Sequence, residues 1–312
     1  MKRKVIQQGS SGSSTTITLP ASWIKKFNIQ AGDELEVIEE GSNIIISTEK
    51  EVDIPKEIHV DVRGMGAQQL ARKIANMYRT GADIIHVTYE NMPLISYRSN
   101  RGINVRDEIE RVVTLECLGM EVEHDTPTLI TLKQFGTIRE QDFNNSMLQI
   151  FKKLKSQVAL LVTALEKKDQ NILQSMWLSD RQINKFFNFC IRILNKKGMR
   201  ETKKAMFSYA TLLALEEIGD QIYLVAIDII HYKKRISPKL IKLTNDLITA
   251  IDEYSLFYHK NLDSAVSKIL RLRDNVWAYK LKNKKLDTPN TILLIRLEVS
   301  YDLLVSLLEE KA

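Results

Sequence analysis

Two stretches of the chain carry the same acidic signature on an apolar helical background. The first is Tyr209-Ala-Thr-Leu-Leu-Ala-Leu-Glu-Glu-Ile-Gly-Asp-Gln-Ile-Tyr223; the second is Thr291-Ile-Leu-Leu-Ile-Arg-Leu-Glu-Val-Ser-Tyr-Asp-Leu-Leu-Val305. In register, Glu216 falls on Glu298 and Asp220 on Asp302, and the leucines around them coincide. Residues four apart share one helical face, so each segment presents a carboxylate pair one turn apart. Both segments are apolar almost all round, which predicts helices covered on several sides. A carboxylate pair there is either half of a metal site or the polar seam of a helical bundle. At this acidic content roughly five acid-x-x-x-acid pairs arise by chance, so the weight rests on two of them aligned inside a duplication.

Other residue types offer less. His59, His86 and His124 read as isolated histidines, with no nucleophile–base constellation near them. Gly64-Met-Gly66 lacks the third glycine and the lysine of a phosphate loop, and reads as a tight turn. Net charge is +6, unevenly spread: residues 1–30 hold Lys2, Arg3, Lys4, Lys25 and Lys26 and no acid, whereas Asp33, Glu34, Glu36, Glu39, Glu40 and Glu49 follow. An acid-free basic start favours a polyanion. A further basic stretch, Lys233-Lys-Arg235 through Lys282, Lys284 and Lys285, reads as solvated helix ends and loops.

The elements that must position these groups follow from length and pattern. At 312 residues two or three domains are expected, and 44% apolar residues with only 12 Gly and 6 Pro leave little room for disorder. Cys117 and Cys190 sit apart in apolar runs and read as buried thiols of a reducing compartment. The start lacks the apolar core of a signal peptide, and no apolar run spans a bilayer, so the cytoplasm is the expected location. Short strands are predicted at 3–8 and 15–19, flanking Gly9-Ser-Ser-Gly-Ser-Ser14. A helix opened by Pro20 follows at Ala21–Phe27, then a turn at Ala31-Gly-Asp33 and a hairpin of Glu34–Glu39 with Asn43–Ser47. A unit this small cannot bury a core alone, and an obligate dimer sharing its β structure is expected.

Residues 50–56 form a polar link. Strands at Glu57–Val62 and Ala82–Tyr89, helices at Gly66–Arg79 and Ile103–Glu116, and a hairpin of Met120–Glu123 with Thr128–Leu132 predict a small α/β module with its sheet covered by two helices. From Ile138 the pattern is helical: Asp142–Glu166, Asp169–Asn195 with Asp169 as N-cap and Gly198 as stop, Thr202–Tyr232, Pro238–His259, Leu262–Lys282 and Pro289–Glu310. That is two successive antiparallel three-helix units, an internal duplication.

Two resemblances attach to these residues. Thr-Ile-Thr-Leu-Pro-Ala-Ser-Trp23 followed by Phe27-Asn-Ile-Gln-Ala-Gly-Asp-Glu-Leu35 resembles the AbrB/MazE/SpoVT family of swapped-hairpin, dimeric DNA-binding domains. The resemblance implies a homodimer on double-stranded DNA, with contacts expected from Lys2, Arg3, Lys4, Ser13, Lys25 and Lys26. The duplicated helices resemble the PhoU family, a pair of three-helix bundles with acidic motifs that hold iron- or zinc-type ions. Leu215-Glu-Glu-Ile-Gly-Asp220 and Leu297-Glu-Val-Ser-Tyr-Asp302 match its third-helix motif; Asp180-Arg-Gln-Ile-Asn184 and Asp274-Asn-Val-Trp-Ala278 keep only the first acid of the preceding-helix motif. The implied ligands of a divalent or iron-type cation are Asp180, Asn184, Glu216 and Asp220 in one bundle and Asp274, Glu298 and Asp302 in the other. The structural alternative is that these acids pair with lysines of adjacent helices. The middle module, with Gly119-Met-Glu121-Val, is similar to the linker of archaeal proteins fusing the two families.

The expected architecture is therefore α+β multidomain: a swapped-hairpin β domain at 1–50, an α/β module at 56–136, and an all-α PhoU-like pair of bundles at 138–312, divided into 138–234 and 236–312. The expected function is DNA-binding regulation of phosphate uptake, with the bundles as sensor or relay. The rival is an adaptor that docks on a phosphate transporter or signalling protein while the N-terminal domain only dimerises. An antitoxin fits the long folded body less well, and no enzyme is expected.

Overall fold

The computed structural model describes residues 2–8, 14–48, 55–90, 92–96, 101–199, 201–232, 234–260 and 262–309. The chain divides at Pro55 into two compact units, Met1–Pro55 and Lys56–Ala312.

In the first unit, β1 (Ile6–Gln8) pairs antiparallel with β2 (Ser14–Thr16), in register Ile6 on Thr16. These strands are shorter than the predicted 3–8 and 15–19, because the ladder stops at Ile6 and leaves Lys2–Val5 and Ile17–Leu19 without strand partners in this chain. Helix α1 (Ala21–Lys26) begins one residue after Pro20, whose carbonyl accepts from the Trp23 and Ile24 amides as an N-cap carbonyl does. Trp23 and Phe27, one turn apart, pack ring on ring at 5.5 Å. Strands β3 (Glu36–Glu40) and β4 (Asn43–Ser47) form the second hairpin, turning at Gly41, whose φ of +61° suits a residue without a Cβ. No described residue of this unit is buried; Val5, Ile6, Ile17, Val37 and Ile44 are each more than half exposed.

The second unit opens with β5 (Glu57–Asp61), which runs parallel to β6 (Ile84–Thr88) through the crossover helix α2 (Ala67–Arg79). The turn before α2 is made by Gly64 at φ +73°, as a simple tight turn rather than a phosphate loop. A hairpin of β7 (Leu94–Ser96) and β8 (Arg101–Ile103) then intervenes. It was not expected: its strands are three residues long, too short to show alternation. Helix α3 (Val105–Glu116) starts two residues later than predicted, where the Asn104 side chain accepts from the Arg106 and Asp107 amides. Strands β9 (Met120–Asp125) and β10 (Leu129–Gln134) complete a four-stranded sheet ordered β5-β6-β10-β9. One face buries Val60, Ile85, Val87, Ile130 and Leu132 with Leu70, Ile74, Ile109 and Val112 of the two helices. The opposite face carries Glu57, His59, His86 and Thr131.

Six long helices follow: α4 (Glu140–Lys167), α5 (Gln170–Lys197), α6 (Thr202–Ile229), α7 (Pro238–Lys260), α8 (Asp263–Lys282) and α9 (Thr288–Glu309). Helix α4 shows why they form: Phe143, Met147, Ile150, Phe151, Leu154, Val158 and Leu161 recur every three or four residues and are all buried. Helices α4, α5 and α6 pack on one another, as do α7, α8 and α9; α4 on α7 and α6 on α9 join the two sets. Asp169 caps α5 through the Asn171 and Ile172 amides, and Gly198, at φ +73°, ends it.

Helix α5 also holds the α/β module. Its fully buried Arg192 donates to the carbonyls of Tyr78 (2.9 Å) and Ala82 (2.6 Å) and to Asp83 Oδ1 (2.9 Å), and stacks over the Tyr78 ring. Lys196 reaches the same carboxylate, and Asp83 Oδ2 accepts the Lys56 amide. Arg181 and Asn188 bind the end of α3 through the Glu116 side chain and carbonyl. One face of α5 is thus tied to the sheet module and the other to the bundle, so residues 56–312 pack as one unit.

Candidate functional site

The bundle-facing side of α5 puts Asp180 and Asn184 one turn apart, with Asn184 Nδ2 donating to Asp180 Oδ2 at 3.3 Å. Facing them, α6 presents Glu216, Glu217 and Asp220, whose carboxylates each offer an oxygen within 4.8 Å of the others. Gln157 of α4, fully buried, lies beside Gly219, which sits on α6 between Glu216 and Asp220. Gly219 lets the three helices approach here, since a Cβ on it would lie 3.3 Å from Ile183 Cδ1 and 3.6 Å from Gln157 Oε1.

The electrostatics of this cluster are unfavourable in isolation. Desolvation and then the neighbouring Asp220 carboxylate raise the Glu216 pKa to about 7. Burial, followed by repulsion from Asp220, also pushes Asp180 up, and burial raises Asp220 itself. Among the described residues none of Asp180, Glu216, Glu217 and Asp220 has an ion-pair partner. Glu217 accepts from Gln221 Nε2 at 2.5 Å, and Gln221 in turn accepts from Arg296 of α9. Asp180 Oδ1, Asn184 Oδ1 and both polar atoms of the Gln157 amide are buried without a hydrogen-bond partner in the protein. Buried polar atoms left open are rare and costly. A set of carboxylate and amide oxygens with unused lone pairs is the donor chemistry of a hard or iron-type cation.

The aligned positions of the second bundle have a different fate. Asp302 accepts from Arg273 at 3.0 Å, Arg273 also lies 3.7 Å from Asp274, and Glu298 accepts from Lys280 at 2.9 Å. The Asp274 and Asp302 side chains are both more than half exposed. With Asp180 set on Asp274, Arg273 stands where α5 has Ser179 and Lys280 where it has Phe186. Cations on α8 thus take up the charge that α5 leaves uncompensated. Gln157 and Glu217 are the members of the first cluster that pattern reasoning did not single out. Gln157 carries no motif; Glu217 could have been found as the second acid of Leu215-Glu-Glu.

A cavity of about 1100 Å³ lies elsewhere, lined by Leu165, Lys168, Gln170, Tyr232, Ile236 and Pro238 among others, and none of these carboxylates lines it.

In the first unit Lys2, Arg3 and Lys4 lead into β1 and Lys25 and Lys26 close α1. All five are exposed, and none is ion-paired among the described residues; Lys26 Nζ lies over the Phe27 ring at 5.3 Å. Ser13 lies outside the described residues. The histidines correct an expectation: His59 and His86 are not isolated but stack at 4.4 Å, because the parallel pairing of β5 and β6 sets them side by side.

Residues 10–58 match the family model described as antidote-toxin recognition MazE, bacterial antitoxin. Comparisons with curated proteins and with solved structures returned no match. The strand-rich head therefore has a recognised likeness in the MazE/AbrB class, attached to a helix-rich body of which no helix, among the described residues, is long and apolar enough to cross a membrane.

Proposed function

We propose that the chain is a dimeric regulator that grips double-stranded DNA through its first unit and senses or relays a state through its helical body. One observation carries the reading. Among its described residues the unit with the MazE-type match buries no side chain, exposes five large apolar ones, and offers five cations without an ion-pair partner, with no acid before Asp33. Apolar surface of that kind is stabilised when a second copy covers it, and the cations are free to replace counterions on phosphate.

The body, read as a PhoU-like pair of bundles, is the sensor, and phosphate supply is the state it would report. Asp180, Glu216, Glu217 and Asp220, with the Asn184 amide oxygen, would hold a cation in the first bundle. Bound there, it would neutralise charge that burial makes costly. The second bundle, its acids already paired, is read as structural support. Docking on a phosphate transporter or signalling protein is the adaptor variant of this proposal. A second reading, as an antitoxin, draws on the description of the matched family; it requires a toxin partner and a head that is unstable alone.

The test uses the full chain and fluorescence anisotropy on duplex DNA across a salt series. Affinity should fall steeply with salt, with a log–log slope of about −0.9 per phosphate contacted. Replacing Lys2, Arg3 and Lys4 together by Ser should flatten that slope by about three such contacts per head. Unchanged DNA retention in that triple variant would favour the adaptor, and a salt-indifferent wild type would end the DNA-binding reading.

A further inference from the structure

The face of the β5-β6-β10-β9 sheet turned away from the helices carries a group that takes no part in the carboxylate cluster or the DNA-binding unit. His59 on β5 and His86 on β6 are register partners, so their side chains leave the sheet together on one face. Glu57, two residues before His59 on the same strand, joins them on that face. His86 Nε2 lies 2.5 Å from Glu57 Oε1, and His59 Nε2 lies 3.9 Å from the same oxygen. One ligand atom from each of the three falls within 4.8 Å of the other two. Behind them, Thr131 on β10 is the register partner of His86 and hydrogen-bonds its Nδ1 at 3.0 Å.

We infer that Glu57, His59 and His86 form a binding site for a zinc-class divalent cation, with Thr131 orienting His86. Three points of chemistry support this. Two imidazoles and one carboxylate are a donor set that zinc accepts, leaving one tetrahedral position for water. Zn–N and Zn–O bonds of about 2.0–2.2 Å put donor atoms about 3.3 Å apart around a tetrahedral ion, between the 2.5 and 3.9 Å found here. The two rings now stack with an interplanar angle of 19°, so seating the ion requires them to turn until both Nε2 lone pairs converge on it, a rotation open to side chains that are exposed or half-buried. The Thr131 hydroxyl can accept from Nδ1–H, which fixes the tautomer whose Nε2 lone pair faces Glu57. The bland alternative is an imidazolium–carboxylate pair between His86 and Glu57. That accounts for two residues but assigns no role to His59, stacked alongside with its Nε2 turned to the same oxygen.

The site stands apart from the carboxylate cluster in chemistry, nitrogen-rich rather than all-oxygen, and does not rest on the proposed function. Its distinctive readout is the visible spectrum of Co²⁺, which substitutes for zinc and absorbs strongly only in tetrahedral coordination. The full chain should take up one tetrahedral Co²⁺, displaced by Zn²⁺, and the Glu216→Gln/Asp220→Asn variant should do the same. His59→Gln, His86→Gln and Glu57→Gln should each lose the tetrahedral bands. His59 and Glu57 are exposed, so those two variants test the site even if His86→Gln fails to fold. Thr131→Val should keep the bands but weaken affinity about 10–100-fold. No tetrahedral band in the wild type, or bands that survive His59→Gln and Glu57→Gln, would overturn the assignment. Unchanged affinity in Thr131→Val would remove Thr131 from it.

Discussion

Replacing Glu216 by Gln should stabilise the cation-free protein in alkali and do little in acid. The folded pKa near 7, against 4.5 for the free side chain, follows first from desolvation and then from the neighbouring Asp220 carboxylate. A group whose pKa is raised on folding contributes stability that is full below its unfolded pKa and lost as pH rises through the folded one. For Glu216 the window runs from about 4.5 to about 7. That difference corresponds to about 3 kcal/mol, and residual solvent contact trims the working figure to about 2 kcal/mol. Above pH 7 the wild type bears that cost and the glutamine variant does not. Thermal unfolding followed by helical circular dichroism should therefore place Glu216→Gln about 4–8 °C above wild type at pH 8 and level with it at pH 4.5. Addition of a cation that binds the cluster should raise the wild type and reverse the order. A Glu216→Gln protein no more stable than wild type at pH 8, without added metal, would refute the account of this cluster as buried, uncompensated charge.

Two contrasts extend the same reasoning. Asp83→Ala strips the fully buried Arg192 of its carboxylate and should cost about 3–5 kcal/mol in denaturant unfolding of the helical body, as an uncompensated buried cation does; a loss under about 1 kcal/mol would mean that the Tyr78 and Ala82 carbonyls suffice. Asp302→Asn, aligned with the half-buried Asp220 but exposed and paired with Arg273, should change stability by less than about 1 kcal/mol at any pH from 5 to 8; a pH-dependent gain like that of Glu216→Gln would show the second acid set to be strained after all.

Local chemistry accounts for what was legible in the residues. The helix boundaries from 138 onward came within about three residues of those found, because a buried helix writes its period every three or four positions and its ends in capping residues such as Asp169 and Gly198. The head followed from equally local marks: Thr-Leu-Pro before a short helix, Gly-Asp after it, and a hairpin across Gly41. The alternating strands of the middle module were visible too, except the short β7–β8 pair.

Sequence by itself determined which side chains repeat and which helical face they share: Glu216 with Asp220, and Glu298 with Asp302. Only the tertiary structure decided that the first pair is half-buried beside Asp180 with no cation paired to it, while the second is met by Arg273 and Lys280. It alone set His59 beside His86, since they are 27 positions apart with a crossover helix between them, and parallel register leaves no mark in either strand. The physical reason is common to both cases: a carboxylate or an imidazole takes its character from dielectric and neighbours, and those are supplied by elements far away along the chain.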